Sequence, residues 1–153
     1  MTLRSLLAKG LAAGAAGTTA LNAVTYADMA LRGRAPSELP QHAVESAMRS
    51  IGQDVPGEGE TRQHRLDGLA ALSGIMVGLG IGAVAGLAGP VLRRLPLGLG
   101  AVVVGGAAMA ATDVPTALSG LSDPREWSAA DWLSDAVPHL GYGVATAWTL
   151  RAM

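Results

Sequence analysis

The fold of this chain is decided by the stretch from Gly68 to Leu92, which reads GLAALSGIMVGLGIGAVAGLAGPVL. Its 25 residues include no charged side chain. A helix needs about 20 apolar residues to cross the hydrocarbon core of a bilayer, so this stretch is long enough to span one. A core helix of a small soluble protein is rarely apolar on every face. The stretch therefore predicts a membrane-spanning helix.

The composition of the whole chain supports the same prediction. The 153 residues are enough for one domain, half of them are hydrophobic, and 15% are charged, whereas about 25% are charged in an average soluble domain. The chain also has 21 glycines, which membrane helices tolerate better than soluble helices because glycine allows close packing. Residues 1–153 are therefore predicted to form a single all-α transmembrane domain.

Uncharged segments also lie on both sides of this stretch. The run from Gly10 to Ala27 has 18 uncharged residues, and the run from Leu95 to Thr112 is uncharged as well. The second run follows the pair Arg93-Arg94, so we expect a tight helical hairpin with the arginine pair at its turn. Together with a C-terminal span, these segments predict an integral membrane four-helix bundle with spans at about 8–30, 66–92, 95–118 and 128–152.

The C-terminal span is recognised by the signals at its beginning. Ser128 is placed to cap the helix, and Asp131 completes a variant of the capping box three residues later. Trp127 and Trp132 occupy the two positions of a hydrophobic staple. Trp132 and Trp148 lie 16 residues apart, or about 24 Å along a helix, which suits aromatic belts at two membrane interfaces. The segment is therefore expected to cross the membrane.

The first span has an alternative interpretation as a secretory signal peptide. Arg4 and Lys9 would then form the charged region, and Gly10 to Leu21 would form the apolar core. A cleavage site with small residues in front of a polar segment is not evident in the sequence. We therefore favour an uncleaved span.

A polar segment, residues 32–65, separates the first two spans. Its apolar residues follow the i, i+3, i+4, i+7 spacing of an amphipathic helix at about 38–51, and they are Val44, Ala47, Met48 and Ile51. Pro40 suits the first turn of this helix, and Gly52 suits its C-terminal exit. We expect the helix to lie on the membrane surface or to cap the bundle.

The charges segregate when the four spans are drawn. One side has five basic residues and no acidic one, namely Arg4, Lys9, Arg93, Arg94 and Arg151. The other side has all 12 acidic residues and the remaining six arginines. The positive-inside rule counts only Lys and Arg, so the two sides nearly tie. The short turn at Arg93-Arg94 favours cytoplasmic termini in a bacterial plasma membrane.

Glycines recur every four residues on the second span, at Gly74, Gly78, Gly82 and Gly86. Such a stripe is smooth and lets the backbone of a neighbouring helix approach closely. The simpler interpretation is that these glycines hold the bundle together. The alternative is that they form a face for self-association.

Polar residues cluster in the acidic half of the predicted bundle. Asp135 and His139 share one face of the fourth span, and Asp113 lies near the acidic end of the third. By topology these residues could form a pocket for a proton or a cation together with Asn22, Tyr26 and Tyr142. Four of them have a structural alternative. Asp113 could cap a short surface helix in which Pro115 occupies the first turn, and His139 could be a structural hydrogen-bonding residue. Asp135 could lie in the headgroup region, and Asn22 could serve only to pair helices.

The layout resembles that of YagU-like inner-membrane proteins. The resemblance rests on the loop RGRAPSELP, Arg32 to Pro40, after a Gly/Ala-rich first span, and on the entry DWLSDAVPHLGYG, Asp131 to Gly143, into the last span. That family has been connected with acid tolerance. The resemblance implies an inner-membrane location and directs attention to His139.

Several classes of function are not supported by the sequence. The chain has no cysteine and a net charge of −1, which excludes thiolate chemistry and gives no indication of a nucleic-acid partner. Nucleotide-binding, metalloprotease and serine-hydrolase motifs are not found. The i, i+4 pair Asp135 and His139 supplies only two ligands, so we expect no metal site and no cofactor. A structural or accessory membrane protein is expected, with the bilayer, other membrane subunits or itself as partner; a channel- or transporter-like module is the alternative.

Overall fold

The computed structural model describes residues 2–153, and it is built of helices. In chain order these are α1 (Leu3–Arg32), α2 (Leu39–Ser50), α3 (Gly59–Leu87), α4 (Gly89–Leu92), α5 (Leu97–Leu118) and α6 (Ala129–Ala152). The prediction of an all-α fold is thereby confirmed. Two of the helices, α3 and α5, are long and apolar enough to cross a membrane.

The four long helices pack in an order that differs from their order in the chain. The extensive contacts join α1 to α3, α1 to α6, and α5 to α6. Helices α3 and α5 follow each other in sequence but contact each other much less. The tight hairpin that we expected from the sequence is therefore wrong in its packing. Gly78, Gly82 and Gly86 of α3 pack against α1 instead of α5.

The second predicted span differs from the observed helix at both ends. Helix α3 begins at Gly59, well before residue 66, and ends at Leu87. The short helix α4 then begins at Gly89, with Pro90 in its first turn. Proline lacks an N–H group and clashes with the preceding turn, so a continuous helix to Leu92 is disfavoured. The prediction of one helix over 66–92 is therefore wrong at its C-terminal end.

Hydrogen bonds hold the helix ends together in two groups. The Lys9 ammonium group donates to the carbonyl oxygen of Met153, and the Arg151 guanidinium group donates to that of Leu95 at 2.6 Å. These contacts gather the first turns of α1, the last turn of α6 and the turn before α5; we call this end the basic end. At the opposite end, the acidic end, Arg32 of α1 donates to Ser134 of α6.

Close contact between α1 and α3 depends on glycines of both helices. A methyl group added to Gly14 would lie 2.7 Å from the Gly78 carbonyl oxygen and 2.9 Å from the Gly82 Cα. A methyl group on Gly86 would overlap the backbone of Gly10. The predicted stripe thus packs against α1 at Gly78, Gly82 and Gly86, whereas Gly74 has open space in front of it.

Helix α2 packs against the polar first turns of α3, as the alternative of a capping helix predicted. Its observed bounds are close to the predicted range 38–51, with Pro40 in the first turn and Gly52 at φ +71° after the last. Glu45 forms an ion pair with Arg62 at 2.6 Å. Val55 and Leu66 are buried nearby. The helix therefore lies outside the apolar part of α3.

The beginning of α6 has the predicted cap. The Ser128 hydroxyl group accepts a hydrogen bond from the Asp131 N–H, and the Asp131 carboxylate accepts one from the Ser128 N–H. The rings of Trp127 and Trp132 meet edge to face with centroids 5.0 Å apart. Both local predictions are confirmed because each depends on residues within five positions of one another.

Helix α5 continues through Asp113 and Pro115 to Leu118. Asp113 is therefore an interior residue of the helix, and the alternative that it caps a new surface helix is wrong. Pro115 has no N–H for the Ala111 carbonyl oxygen one turn earlier, and the helix nevertheless continues, with the Thr116 hydroxyl group donating to the Thr112 carbonyl oxygen at 3.1 Å. The helix thus places Asp113 about one and a half turns from its C-terminal end.

Candidate functional site

Three of the predicted polar residues meet where α5 packs against α6. The Nδ1 atom of His139 lies 2.9 Å from the carbonyl oxygen of Asp135 and 3.2 Å from its Oδ1 atom. The Asp113 carboxyl group reaches the Asp135 side chain from α5. It also accepts a hydrogen bond of 3.3 Å from the Thr112 hydroxyl group. We call Asp113, Asp135 and His139 the acidic-end cluster.

The close approach of α5 and α6 at this point depends on two glycines. A methyl group on Gly105 would lie 2.6 Å from the His139 carbonyl oxygen, and one on Gly143 would overlap the Ala101 carbonyl oxygen. The two backbones are therefore in direct contact just below the cluster. This contact carries Asp113 of α5 to the level of Asp135 on α6.

One oxygen atom of the cluster lacks a hydrogen bond. The Oδ2 atom of Asp135 is buried and has no donor within residues 2–153. Its neighbour, the Asp113 carboxyl group, is also an acceptor when it is ionised. A hydrogen bond between the two carboxyl groups therefore requires a proton, and two ionised groups require a cation to offset their repulsion. The geometry thus suits a bound proton or a small cation.

The cluster does not have the donor set of a transition-metal site. Within residues 2–153, no group of three or more His, Asp and Glu side chains is placed to bind a metal ion. His139 directs its Nδ1 atom at Asp135, so that atom is occupied by a hydrogen bond. The side chains of His139 and Asp135 are mostly buried, at 12% and 24% exposed.

The other three predicted site residues lie elsewhere. Asn22 lines a groove between α1 and α3, together with Thr18 and Ile75. The Tyr26 side chain is 63% exposed. Tyr142 is buried and points toward α3. The structure therefore brings together Asp113, Asp135 and His139 and leaves these three outside the cluster.

Tyr142, which the sequence analysis placed in the pocket, belongs instead to a second buried polar group with Thr146. Tyr142 of α6 passes α1 at Gly17, and its hydroxyl group donates a 2.6 Å hydrogen bond to the Gly78 carbonyl oxygen of α3. Thr146, one turn later, donates to the Ala13 carbonyl oxygen at 3.3 Å. Both side chains are almost fully buried. The i, i+4 spacing of Tyr142 and Thr146 was a signal, but the partners on α1 and α3 were not readable.

The ion pairs between α2 and α3 form a third polar region. Glu45 contacts Arg62 at 2.6 Å and Arg49 at 3.1 Å. The hydrogen bond from Arg62 holds the pKa of the Glu45 carboxyl group below its usual value, and the charge of Arg49 acts in the same direction. The Glu45–Arg62 ion pair joins α2 to α3.

Comparisons of the chain with protein-family models, with curated proteins and with solved structures find no significant match. The geometry of the helices and of the acidic-end cluster therefore carries the functional argument.

Proposed function

We propose that this chain is a small integral membrane protein with a structural or accessory role, in which α1, α3, α5 and α6 form a membrane-spanning bundle. The observation that supports the proposal is the distribution of apolar side chains on α3 and α5. In the most apolar 18-residue windows of these helices, only 22% and 28% of the residues are buried. A core helix of a soluble protein would be mostly buried, so hydrocarbon is the solvent that suits these surfaces.

The interior of the helix assembly supports the same proposal. Where α1 meets α3 and α5 meets α6, the contacts are made by glycine, alanine and backbone rather than by large side chains. Large apolar residues point outward instead; Met76 is 68% exposed, Val102 59% and Leu133 61%. Lipid provides no hydrophobic drive for helix association, so membrane helices use such close contacts.

The proposed location is a bacterial plasma membrane, with cytoplasmic termini. All five charged side chains of the basic end are Lys or Arg, and the turn that contains Arg93 and Arg94 is short. Short loops carry the positive-inside signal most strongly. The YagU-like resemblance agrees with this location and is part of the proposal. Other membrane subunits, or copies of this chain, are the proposed partners.

The experiment is membrane extraction combined with cysteine labelling. The chain has no native cysteine, so single-cysteine variants at Arg94 and at Asp54 report the two sides of the membrane. We expect the protein to stay in the membrane pellet at alkaline pH, and a membrane-impermeant maleimide to label only Asp54→Cys in intact cells with a permeabilised outer membrane. A soluble protein, or equal labelling of both positions, would contradict the proposal.

The second candidate function is a proton- or cation-responsive module, and it is favoured by the acidic-end cluster. Two carboxyl groups from different helices meet there, and the buried Oδ2 atom of Asp135 lacks a donor. In a membrane bundle such ionisable groups often mark an ion pathway. Flux of protons or monovalent cations into liposomes, lost in Asp113→Asn and retained in the loop control Asp123→Asn, would favour this function. An absence of flux would favour the accessory role.

A further inference from the structure

The groove between α1 and α3 is the feature that neither the bundle packing nor the cluster explains. It has a volume of about 300 Å³. Its lining is mostly apolar and consists of Ala15, Thr18, Thr19, Asn22, Ile75 and Leu79. It opens on the outer surface of the helices, where Ile75 is 43% exposed. In the proposed membrane location this mouth faces the hydrocarbon.

The groove exists because α1 and α3 diverge at one position of their antiparallel register. Gly86 meets Gly10, Gly82 meets Gly14, and Gly78 meets Thr18. The next pair in this series is Gly74 with Asn22. Gly74 nevertheless has no atom within 4 Å of where its Cβ would lie. The helices have therefore separated at this step, and the larger side chain of Asn22 lies at the opening.

Asn22 has no hydrogen-bond partner among residues 2–153. The two neighbouring hydroxyl groups of the groove are both bonded within α1, Thr18 to the Gly14 carbonyl oxygen and Thr19 to that of Ala15. The Asn22 amide has neither such a bond nor an ion pair or ring contact. An unpaired amide group in hydrocarbon is costly because no water is available to it. A partner that brings a hydrogen-bonding group to the depth of Asn22 would remove this cost.

The depth of Asn22 limits the choice of partner. Asn22 lies six residues before Asp28, or about 9 Å along α1. Asp28 is at the acidic end, where it forms ion pairs with Arg32 at 2.7 Å and with Arg34 at 2.5 Å. If these charges lie at the membrane surface, lipid headgroups lie above Asn22. An amide group of another protein can reach it, and a side-chain amide both donates and accepts, so it is complementary to itself.

We propose that a second copy of this chain docks at the α1–α3 groove, with the Asn22 amide groups of the two copies hydrogen-bonded across a two-fold axis. An isologous contact of this kind places the same patch of each copy against the other. Gly74 and Ala15 leave room for the approach, since both are small and Gly74 has open space. The proposal rests on the membrane location proposed above. It moves self-association from the glycine stripe, which α1 covers, to the groove beside it.

The experiment measures association of the full chain in liposomes over a range of protein-to-lipid ratios, by single-molecule photobleaching. We expect dimers for the wild type. Asn22→Leu should weaken association about 3- to 30-fold, as expected for one interhelical hydrogen bond in a membrane. Asn22→Gln, which keeps an amide group, should retain most of it. The control Ser73→Ala removes a hydroxyl group that is bonded only within α3, and it should leave association unchanged.

Disulfide cross-linking locates the interface. Thr19→Cys, next to Asn22 in the groove, should form cross-linked dimers, whereas Val103→Cys, on the exposed face of α5, should not. Monomers at every ratio, an Asn22→Leu variant that associates as strongly as wild type, or cross-linking through Val103→Cys alone would each overturn the inference. A monomer with a lipid bound to it in native mass spectrometry would also overturn it. These failures leave the protein in the membrane, whereas release at alkaline pH would overturn the proposed function as well.

Discussion

The hydroxyl group of Tyr142 donates a 2.6 Å hydrogen bond to the carbonyl oxygen of Gly78, so a side chain of α6 reaches past α1 to the backbone of α3. This bond ties together three helices that are distant in sequence. The Tyr142 ring packs against α1 at Gly17. Any side chain at Gly17 would overlap this ring. The stability of the assembly should therefore depend on this residue.

Tyr142→Phe removes the hydroxyl group and keeps the ring. We expect the free energy of unfolding to fall by about 0.5–1.5 kcal/mol, the usual net contribution of a hydrogen bond. Unfolding by SDS in mixed micelles would measure it. Tyr26→Phe is the matched control, since the Tyr26 side chain is 63% exposed. Equal stability of Tyr142→Phe and the wild type would show that the bond contributes nothing.

Gly82 and Gly74 provide a matched pair on one helix. A methyl group at Gly82 would lie 2.6 Å from the Gly10 carbonyl oxygen, whereas one at Gly74 would meet open space. We expect Gly82→Ala to lower the unfolding free energy by about 1–3 kcal/mol, because the two helices must separate. Gly74→Ala should stay within about 0.5 kcal/mol of the wild type. The same SDS titration measures both, and equal effects would contradict the observed register of α1 and α3.

Ser128→Ala removes the hydroxyl group that caps α6. The side chain accepts a 3.2 Å hydrogen bond from the Asp131 N–H, and loss of such a cap costs about 1 kcal/mol. We expect faster hydrogen exchange of the first-turn amides of α6, measured by mass spectrometry. Ser73→Ala should leave these amides unchanged. Unaltered exchange in Ser128→Ala would mean that the tryptophan contact alone fixes the helix start.

The docking of α2 on α3 should depend on pH through Glu45. The pKa of Glu45 is lowered from 4.5 by the hydrogen bond with Arg62. The stabilisation is therefore complete above about pH 4.5 and is lost as the pH falls through the lower pKa of the folded state. A spin label at Ala47→Cys, on the exposed face of α2, should gain mobility only in that acidic range.

The control for this experiment is Glu45→Gln, in which the label should show the same mobility above and below pH 4.5. Release of α2 near neutral pH in the wild type would contradict the assignment.

The sequence was sufficient for features that depend on neighbouring residues. The cap at Ser128, the contact of Trp127 with Trp132 and the limits of α2 follow from short-range rules of helix geometry. The all-α fold and the two most apolar helices follow from uncharged length. These signals need no knowledge of which helices become neighbours in space.

The packing order was not predictable from the same rules. The glycine stripe predicted a close contact for α3, but glycines on α1 and α5 offered equally smooth partners. The site residues show the same limit. The packing of α5 on α6 brings together Asp113, Asp135 and His139. Asn22 lies beside α3 instead, because α1 packs on α3. A helical periodicity gives the face of a residue, and the neighbour of that face is a property of the whole assembly.

The position of α1 between α3 and α6 has a consequence for biosynthesis. The Thr146 hydroxyl group bonds to the carbonyl oxygen of Ala13 across 133 positions of the chain. At roughly 5–20 residues per second, a ribosome needs about 7–27 s to make the intervening residues. During this time the flank of α1 that will receive α6 lacks its partner helix. Substitutions that slow the arrival of α6 should therefore reduce the yield of assembled protein through quality control, even when the finished molecule is as stable as the wild type.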